Sequence, residues 1–200
     1  MNTTELYLDI NKHLLHDEIP SQFINHISQE AVFIEQPFSM LNMLKKTEQS
    51  PKHHPEGNVW NHTMLVINEA AKIKNKSKDA HIFMWAALLH DIGKPSTTKN
   101  KNGKITSYDH DKVGEKLARE FLEHFTTDND FINAVTALIR WHMQILFVVN
   151  NLPFADIETM KRHTNVHEVA LLGLCDRMGR LHGDLDKEQK NIEQFLEKCE

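Results

Sequence analysis

Apolar side chains recur every three or four residues along most of this chain, and this helical period constrains its fold more than any other feature. The period is clear over residues 3–16 and 59–73, and residues 80–89 form a nearly continuous apolar run. Only 7 glycines interrupt the 200 residues, and no long stretch alternates apolar and polar side chains as a half-buried strand does. The sequence therefore predicts an all-α fold, a helical bundle.

Prolines, glycines and short polar side chains divide this pattern into separate helices. We expect a loop at residues 47–58, rich in proline, and a polar loop at residues 96–109 with a short extended piece at Lys104-Ile105-Thr106. The expected helices cover residues 3–16, 22–36, 38–46, 59–73, 80–91, 110–125, 129–147, 155–162, 165–181 and 186–198. No linker marks a clear boundary, so we predict a main domain over residues 51–200 with a helical extension, residues 1–50, packed on it.

The composition favours a globular cytoplasmic protein. The chain is 40% apolar, which is too much for a chain disordered throughout, and its net charge of −5 disfavours a broad nucleic-acid surface. No run approaches the roughly 18 uninterrupted apolar residues of a membrane helix, and no signal peptide is visible. The two cysteines, Cys175 and Cys199, are too few for a zinc motif or a disulfide framework. We therefore expect neither a membrane nor a disulfide-linked partner.

Histidine is unusually frequent, with 14 residues against 2 tyrosines, and imidazole is the commonest metal ligand in proteins. The doublet His90-Asp91 directly follows the apolar stretch Ala86-Ala87-Leu88-Leu89, which indicates that both side chains are buried. Burial of a charged aspartate is costly unless it is paired or bound to a metal ion. Two interpretations of the doublet remain open at this point: an ion pair without metal, and part of a metal site.

Further ligand-type side chains lie on apolar helical faces elsewhere in the chain, at His62, His110, His142 and Asp176. His110 also fits a helix cap and His142 also fits a hydrogen-bonded core histidine. Four imidazoles and two carboxylates are enough for one or two divalent ions. This mixture of nitrogen and oxygen ligands suits iron, manganese, nickel, cobalt or zinc better than calcium or magnesium.

The order His62, His90-Asp91, His110, His142, Asp176 resembles the HD superfamily of metal-dependent phosphohydrolases. A closer resemblance is to the HD domain attached to bacterial tRNA nucleotidyltransferases, the CCA-adding enzymes. It covers about residues 50–185 and does not extend to the nucleotidyltransferase head. The segments that carry it are His54-Pro55-Glu56-Gly57 with the residues up to Thr63, Leu88 to Pro95, Asp109 to Gly114, Leu138 to His142 and Cys175 to Arg180.

This resemblance implies a first metal ion held by His62, His90, Asp91 and Asp176. It further implies a second ion on His110 and His142, with Asp91 as the bridge. Asp91 and Lys94 are the expected catalytic residues, because Lys94 matches the family lysine after the doublet and would neutralise a phosphoryl oxygen. An ordinary cation at a helix C-terminus is the alternative for Lys94.

Three further roles follow from position or from the same resemblance. Arg180 lies four residues after Asp176, on its helical face, and is the expected phosphate clamp. His54 is predicted to bind substrate, or else only to shape the turn before Gly57. Glu56 or Asp111 would orient a ligand histidine or relay a proton.

The expected function is hydrolysis of a phosphate ester on a nucleotide or an RNA end, by attack of a metal-bound hydroxide with a pKa lowered toward about 7. The expected partner is thus a small phosphorylated substrate. Two alternatives remain open: a dinuclear-iron oxygenase of the same fold, and a non-catalytic nucleotide-binding module.

Overall fold

The helical period predicts the class of the fold correctly. A computed structural model describes all 200 residues, and its only sheet is a two-stranded hairpin. In chain order the helices are α1 (Thr3–His16), α2 (Pro20–Ile27), α3 (Ser39–Asn42), α4 (Val59–Ile73), α5 (Ala80–Leu89), α6 (Lys94–Thr97), α7 (His110–Glu123), α8 (Asn129–Trp141), α9 (Gln144–Val149), α10 (Ile157–His163), α11 (Val166–Met178) and α12 (Leu185–Cys199). Short 3-10 turns cover Ala31–Ile34, Met43–Lys46 and Lys74–Lys76.

Side-chain caps explain where α4, which carries His62, and α5, which leads to His90, begin. The Asn58 side chain accepts a hydrogen bond from the backbone of Asn61, which starts α4. The Asp79 side chain accepts from the backbone of His81 and Ile82, which starts α5. His62 is therefore placed in the first turn of α4, and the doublet directly follows the last residue of α5.

Three of the predicted elements differ most from the structure. The helix expected over residues 22–36 begins earlier, at Pro20, because proline suits the first helical position, and it ends at Ile27. The helix expected over residues 129–147 is interrupted after Trp141 and resumes at Gln144. The polar loop contains two strands, β1 (Thr98–Lys101) and β2 (Lys104–Ser107), so the extended piece at Lys104-Ile105-Thr106 is confirmed.

The hydrophobic core is one cluster of 43 buried residues, and the first fifty residues contribute to it. α5 lies centrally and packs against α4, α8 and α11, while α1 and α2 cover α5 and α4. Tyr7 stacks on Trp85 with ring centroids 4.7 Å apart. The indole of Trp85 donates to Asn11 Oδ1 at 2.9 Å. The N-terminal helices thus support the two helices that lead to His62 and His90.

A close backbone contact brings the doublet to the start of α7. A Cβ atom at Gly93 would lie 2.2 Å from the backbone oxygen of His110 and 2.6 Å from the backbone nitrogen of Gly114. Only glycine fits at this position, since both neighbours are main-chain atoms. The contact fixes His110 beside Asp91.

One segment, Asn129–Val149, is long and apolar enough to cross a membrane by length and composition alone. It spans α8 and α9, and 56% of its apolar window is buried inside the protein. α8 packs against α5 and α7, and such burial is typical of a core helix. The absence of a membrane partner stays a prediction, as does the cytoplasmic location.

Candidate metal centre

Histidines from four separate parts of the fold converge on Asp91. His62 lies in α4, His90 follows α5, His110 opens α7 and His142 follows α8. All four side chains are buried, as is Asp91 itself. The site therefore assembles from helix ends that are distant along the chain.

Backbone hydrogen bonds orient three of these rings. The Nδ1 atoms of His90, His110 and His142 donate to the backbone oxygens of Ala87, Ser107 and Ile139, at 2.9, 2.7 and 2.6 Å. A neutral imidazole that donates through Nδ1 carries its lone pair on Nε2. The Nε2 atoms of His110 and His142 face each other at 3.2 Å, so two lone pairs meet. A cation between them would remove this repulsion.

Asp91 is shared between two groups of possible ligand atoms. Its Oδ2 lies 3.2 Å from His90 Nε2 and 3.9 Å from His62 Nε2, and its Oδ1 lies 3.5 Å from His110 Nε2. Within each group the ligand atoms are within 4.8 Å of one another; the groups are His62, His90, Asp91 and Asp91, His110, His142. Both groups could hold a metal ion, with Asp91 common to the two.

Unmet hydrogen-bonding capacity supports this assignment. His90 Nε2 is buried and lacks a hydrogen-bond partner. Asp91 Oδ2 is buried and forms an ion pair with Lys94 Nζ at 2.7 Å, and the same ammonium donates to Gln49 Oε1 at 2.6 Å. Buried polar atoms without partners cost about 1–3 kcal/mol each. A divalent cation coordinated by His90 Nε2 and Asp91 Oδ2 would offset this cost, so the residues fit a metal ion.

The charges around Asp91 favour its ionised form. Burial alone would raise the pKa of Asp91, but its interaction with the adjacent His90 ring and the positive charge of Lys94 hold it well below the usual value of an aspartate. Asp91 is thus a carboxylate, the form that binds metal ions.

Asp176 joins this arrangement from α11, through His62. Its Oδ1 lies 2.9 Å from His62 Nε2, and its Oδ2 lies 3.8 Å from Arg180 Nη2. Burial opposes ionisation, yet Arg180 and the hydrogen bond with His62 lower the pKa of Asp176 well below its usual value. The six predicted ligands therefore lie together, with Asp176 on the His62 side of Asp91.

Glu56 fixes the orientation of His62. Its Oε1 accepts from His62 Nδ1 at 2.9 Å and from His54 Nδ1 at 2.9 Å. Burial would raise the pKa of Glu56, but the hydrogen bonds from His62, its own backbone and His54 lower it to about 2. Because Glu56 holds Nδ1, Nε2 is the ring nitrogen left for a metal ion; in this structure it hydrogen-bonds Asp176 Oδ1 at 2.9 Å, and it would bind metal on loss of its proton. This contact favours the orienting role for Glu56 over the proton relay.

His54 lines the cavity as an acceptor. Burial, followed by the charges of Lys94 and His62, lowers the pKa of His54 to about 4. Because Nδ1 donates to Glu56, the neutral ring offers a lone pair on Nε2. His54 therefore suits contact with a substrate hydroxyl better than contact with a phosphoryl oxygen.

Asp111 contacts an arginine and does not orient a ligand histidine. Its Oδ2 accepts from Arg140 Nη1 at 2.6 Å. The guanidinium of Arg140 also lies over the ring of Trp141, 4.4 Å from the centroid. Arg140 was not predicted as a site residue, although it lies two residues before His142, in the segment Leu138 to His142 that resembles the family.

The centre opens on a cavity of about 1200 Å³. Its wall carries more cations than carboxylates, although the whole chain has a net charge of −5. The cations are Lys52, Lys94, Lys104, Lys112, Arg140, Arg177 and Arg180, and the carboxylates are Asp91, Asp109, Asp111, Asp156 and Asp176.

Two arginines of this wall differ in their pairing. Arg177 Nη1 pairs with Glu188 Oε2 at 3.1 Å, whereas Arg180 Nε is buried without a hydrogen-bond partner. The cavity therefore favours an anionic ligand.

Comparison with known proteins agrees with this site. The family model described as HD domain matches residues 59–181. The chain is similar to the multifunctional CCA proteins of Actinobacillus pleuropneumoniae (30% identical over 105 residues, 52% of this chain and 25% of the relative) and Methylococcus capsulatus (24% over 190 residues, 93% and 38%). A similar relative from Halorhodospira halophila is 33% identical over 95 residues, 48% of this chain and 21% of that protein.

The chain thus spans only about a quarter to two fifths of the length of two of these relatives. The family match covers more than half of the chain and includes the doublet and all six predicted ligands. The resemblance inferred from the sequence is confirmed: the chain belongs to the HD domain family, whose members are typically metal-dependent phosphohydrolases.

Proposed function

We propose that this protein is a metal-dependent phosphohydrolase that cleaves a phosphomonoester or phosphodiester of a nucleotide or an RNA end. The observation that carries the proposal is the pair of ligand groups that share Asp91 at the base of a cavity with a cationic wall. A site of this kind combines ligands for divalent ions with charges that attract a phosphate group.

Six residues would hold the ions. His62, His90, Asp91 and Asp176 would bind one divalent transition-metal ion (iron, manganese, nickel, cobalt or zinc). Asp91, with His110 and His142, would bind a second. Such ions, when bound, supply a water of lowered pKa and take up charge on the phosphoryl oxygens.

The chain's own residues would bind and orient the substrate. The ammonium of Lys94 is held near Asp91 by Gln49 and would neutralise a non-bridging phosphoryl oxygen. Arg180 Nε, which is buried without a partner, would donate to a second oxygen. Glu56 would keep His62 in the tautomer whose Nε2 binds metal.

The wall of the cavity also supports a nucleoside as part of the substrate. Tyr108 and Phe154 line it and are 71% and 62% exposed. Phe154 packs against Phe147 with ring centroids 5.5 Å apart. Exposed aromatic rings beside a cationic groove are typical of sites that stack nucleobases.

A first prediction concerns the exposed aromatic rings that line the cavity, Tyr108 and Phe154. Phe154→Ala is expected to raise KM for a 2′,3′-cyclic nucleotide about tenfold, since stacking contributes about 1–3 kcal/mol per base. KM for glycerol 1,2-cyclic phosphate, which has the same reactive ring and no base, is expected to stay unchanged. Leu8→Ala removes an exposed apolar side chain outside the cavity and is the control. An equal rise in KM for both substrates would contradict the stacking role.

A second prediction separates the two ligand groups. His110→Ala and His142→Ala are each expected to lose about one of two bound ions, because each removes an Nε2 ligand from the second group only. Metal analysis after manganese loading and desalting measures this directly. The exposed His26 provides the matched control, His26→Ala, which should keep the metal content of the unchanged protein. Unchanged two-ion content in both site variants would remove these residues from the centre.

The proposal as a whole is tested by turnover. The protein would be stripped with a chelator, reloaded with manganese, nickel or cobalt, and assayed against bis-p-nitrophenyl phosphate and 2′,3′-cyclic nucleotides. Absence of hydrolysis with every metal, despite measured metal binding, would reject it. Oxygen consumption without phosphate release would favour the dinuclear-iron oxygenase, and nucleotide binding without product would favour the non-catalytic module.

A further inference from the structure

Gln49 reaches the centre from the segment before α4, outside the residues that match the HD family. Its side chain is buried, and its Oε1 accepts a hydrogen bond from Lys94 Nζ at 2.6 Å. The same ammonium lies 2.7 Å from Asp91 Oδ2. Gln49 is therefore separated from the carboxylate of the doublet by a single ammonium group.

The surrounding loop is anchored on both sides of Gln49. The backbone oxygen of Thr47 accepts from the amide of Val59, at 3.0 Å, and the backbone oxygen of Ser50 accepts from the amide of His54, at 2.9 Å. These bonds tie the loop to the start of α4 and to the His54 segment. The position of the Gln49 side chain is thus set by the backbone as well as by Lys94.

The ammonium of Lys94 determines which way the amide of Gln49 points. An ammonium group has three donors and no acceptor, so the amide must present its oxygen to it. The reversed amide would place an NH₂ group against an NH₃⁺ group. Nε2 is therefore the free end of the side chain.

That free end has an unmet hydrogen-bonding capacity. Gln49 Nε2 is buried and has no partner, and Gln49 is part of the cavity wall. A buried amide donor without an acceptor is unfavourable, so an acceptor in the cavity would stabilise it. Lys94 Nζ beside Gln49, and Arg180 Nε elsewhere in the same cavity wall, make an anionic oxygen the acceptor that suits this cavity.

We propose that Gln49 is a substrate-binding residue whose Nε2 donates to a non-bridging phosphoryl oxygen while its Oε1 holds Lys94 in position. The identity of the ligand as a phosphate ester rests on the proposed function. The donation itself requires only a phosphate group in the cavity.

Two variants separate the donor from the acceptor of this side chain. Gln49→Glu keeps an oxygen for Lys94 and replaces the donor by a negatively charged oxygen. Gln49→Met removes both the donor Nε2 and the acceptor Oε1 and keeps a side chain of similar volume. Gln29→Glu makes the same chemical change at an exposed position of the N-terminal segment and is the control.

The measurement is calorimetric binding of inorganic phosphate to the manganese-loaded full chain, beside a manganese titration without phosphate. We expect the phosphate Kd to rise about tenfold in Gln49→Met and further in Gln49→Glu, as for loss of a hydrogen bond to a charged group. Manganese stoichiometry and thermal unfolding should match the unchanged protein, and Gln29→Glu should bind phosphate normally.

An unchanged phosphate Kd in both Gln49 variants would overturn the proposal. Loss of manganese in a folded Gln49→Met protein would also overturn it, because Gln49 would then act by supporting Asp91. If the variants lose phosphate binding but no phosphate ester is hydrolysed by the unchanged protein, the role of Gln49 stands and the proposed function fails.

Discussion

Asp91→Ala is expected to release both metal ions and to lower the rate of phosphate ester hydrolysis by at least about a thousandfold. Asp91 is the one residue that belongs to both ligand groups, so its loss removes a ligand from each. Removal of a single preorganised group in other active sites already costs about a hundred- to a thousandfold in rate. We expect the loss of a shared ligand to reach or exceed the upper end of that range.

Two measurements separate metal loss from unfolding. Asp91→Asn keeps the volume of the side chain and removes its negative charge, so it should remain folded and still lose most of its metal. Metal analysis and thermal unfolding of both variants would show this. Asp186→Ala, at an exposed position in α12, is the matched control. Two retained equivalents of metal together with an unchanged rate in Asp91→Ala would reject the assignment of Asp91 as the shared ligand.

Gly93→Ala is expected to destabilise the fold by about 3 kcal/mol or more, at the upper end of the cost of overpacking. The added Cβ would meet the backbone oxygen of His110 at 2.2 Å and the backbone nitrogen of Gly114 at 2.6 Å. Main-chain atoms cannot rotate away as a side chain does, so the start of α7 must shift. The shift would carry His110 away from Asp91, and we expect the second ion to be lost with it.

Gly114→Ala provides a matched comparison on the other side of the same contact. The nearest atom to its Cβ would be Ile139 Cγ2 at 3.2 Å, which belongs to a side chain that can adjust. Alanine also favours the interior of α7 by about 1 kcal/mol over glycine, so the net change in stability should be small. Denaturant unfolding measures both variants. Equal midpoints for Gly93→Ala and the unchanged protein would contradict the close backbone contact.

The sequence predicts the helices well where the chain carries a local signal. Residues 3–16 and 59–73 are helical as expected, because each begins after a capping side chain and carries a regular apolar period. The breaks after Ile27 and Trp141 were missed, since the apolar period continues through both. A periodic pattern records which side chains are buried, and it does not record where neighbouring elements force a turn.

The candidate site shows the same contrast between residues with a local sequence signal and residues whose role depends on distant contacts. The six ligand-type residues were found from their positions on apolar faces, and the structure brings them together; that they bind metal stays a prediction. Gln49 and Arg140 were missed because their contacts, with Lys94 and Asp111, join segments 45 and 29 residues apart. For Glu56 the sequence leaves two roles open, orienting a ligand histidine and relaying a proton. Only the structure shows that its carboxylate contacts Nδ1 of His62.

The shared core has a consequence for how far this module extends. The match to the HD family model begins at Val59, yet Gln49 lies upstream of that residue, as do Tyr7 and Asn11, which contact Trp85. The limits of the family model and of the shared hydrophobic core therefore differ. A fragment trimmed to the residues that match the family model would expose Trp85 to water and lose the part of the cavity lining that includes Gln49 and His54. Exchange of this module between proteins should therefore carry roughly the fifty preceding residues with it.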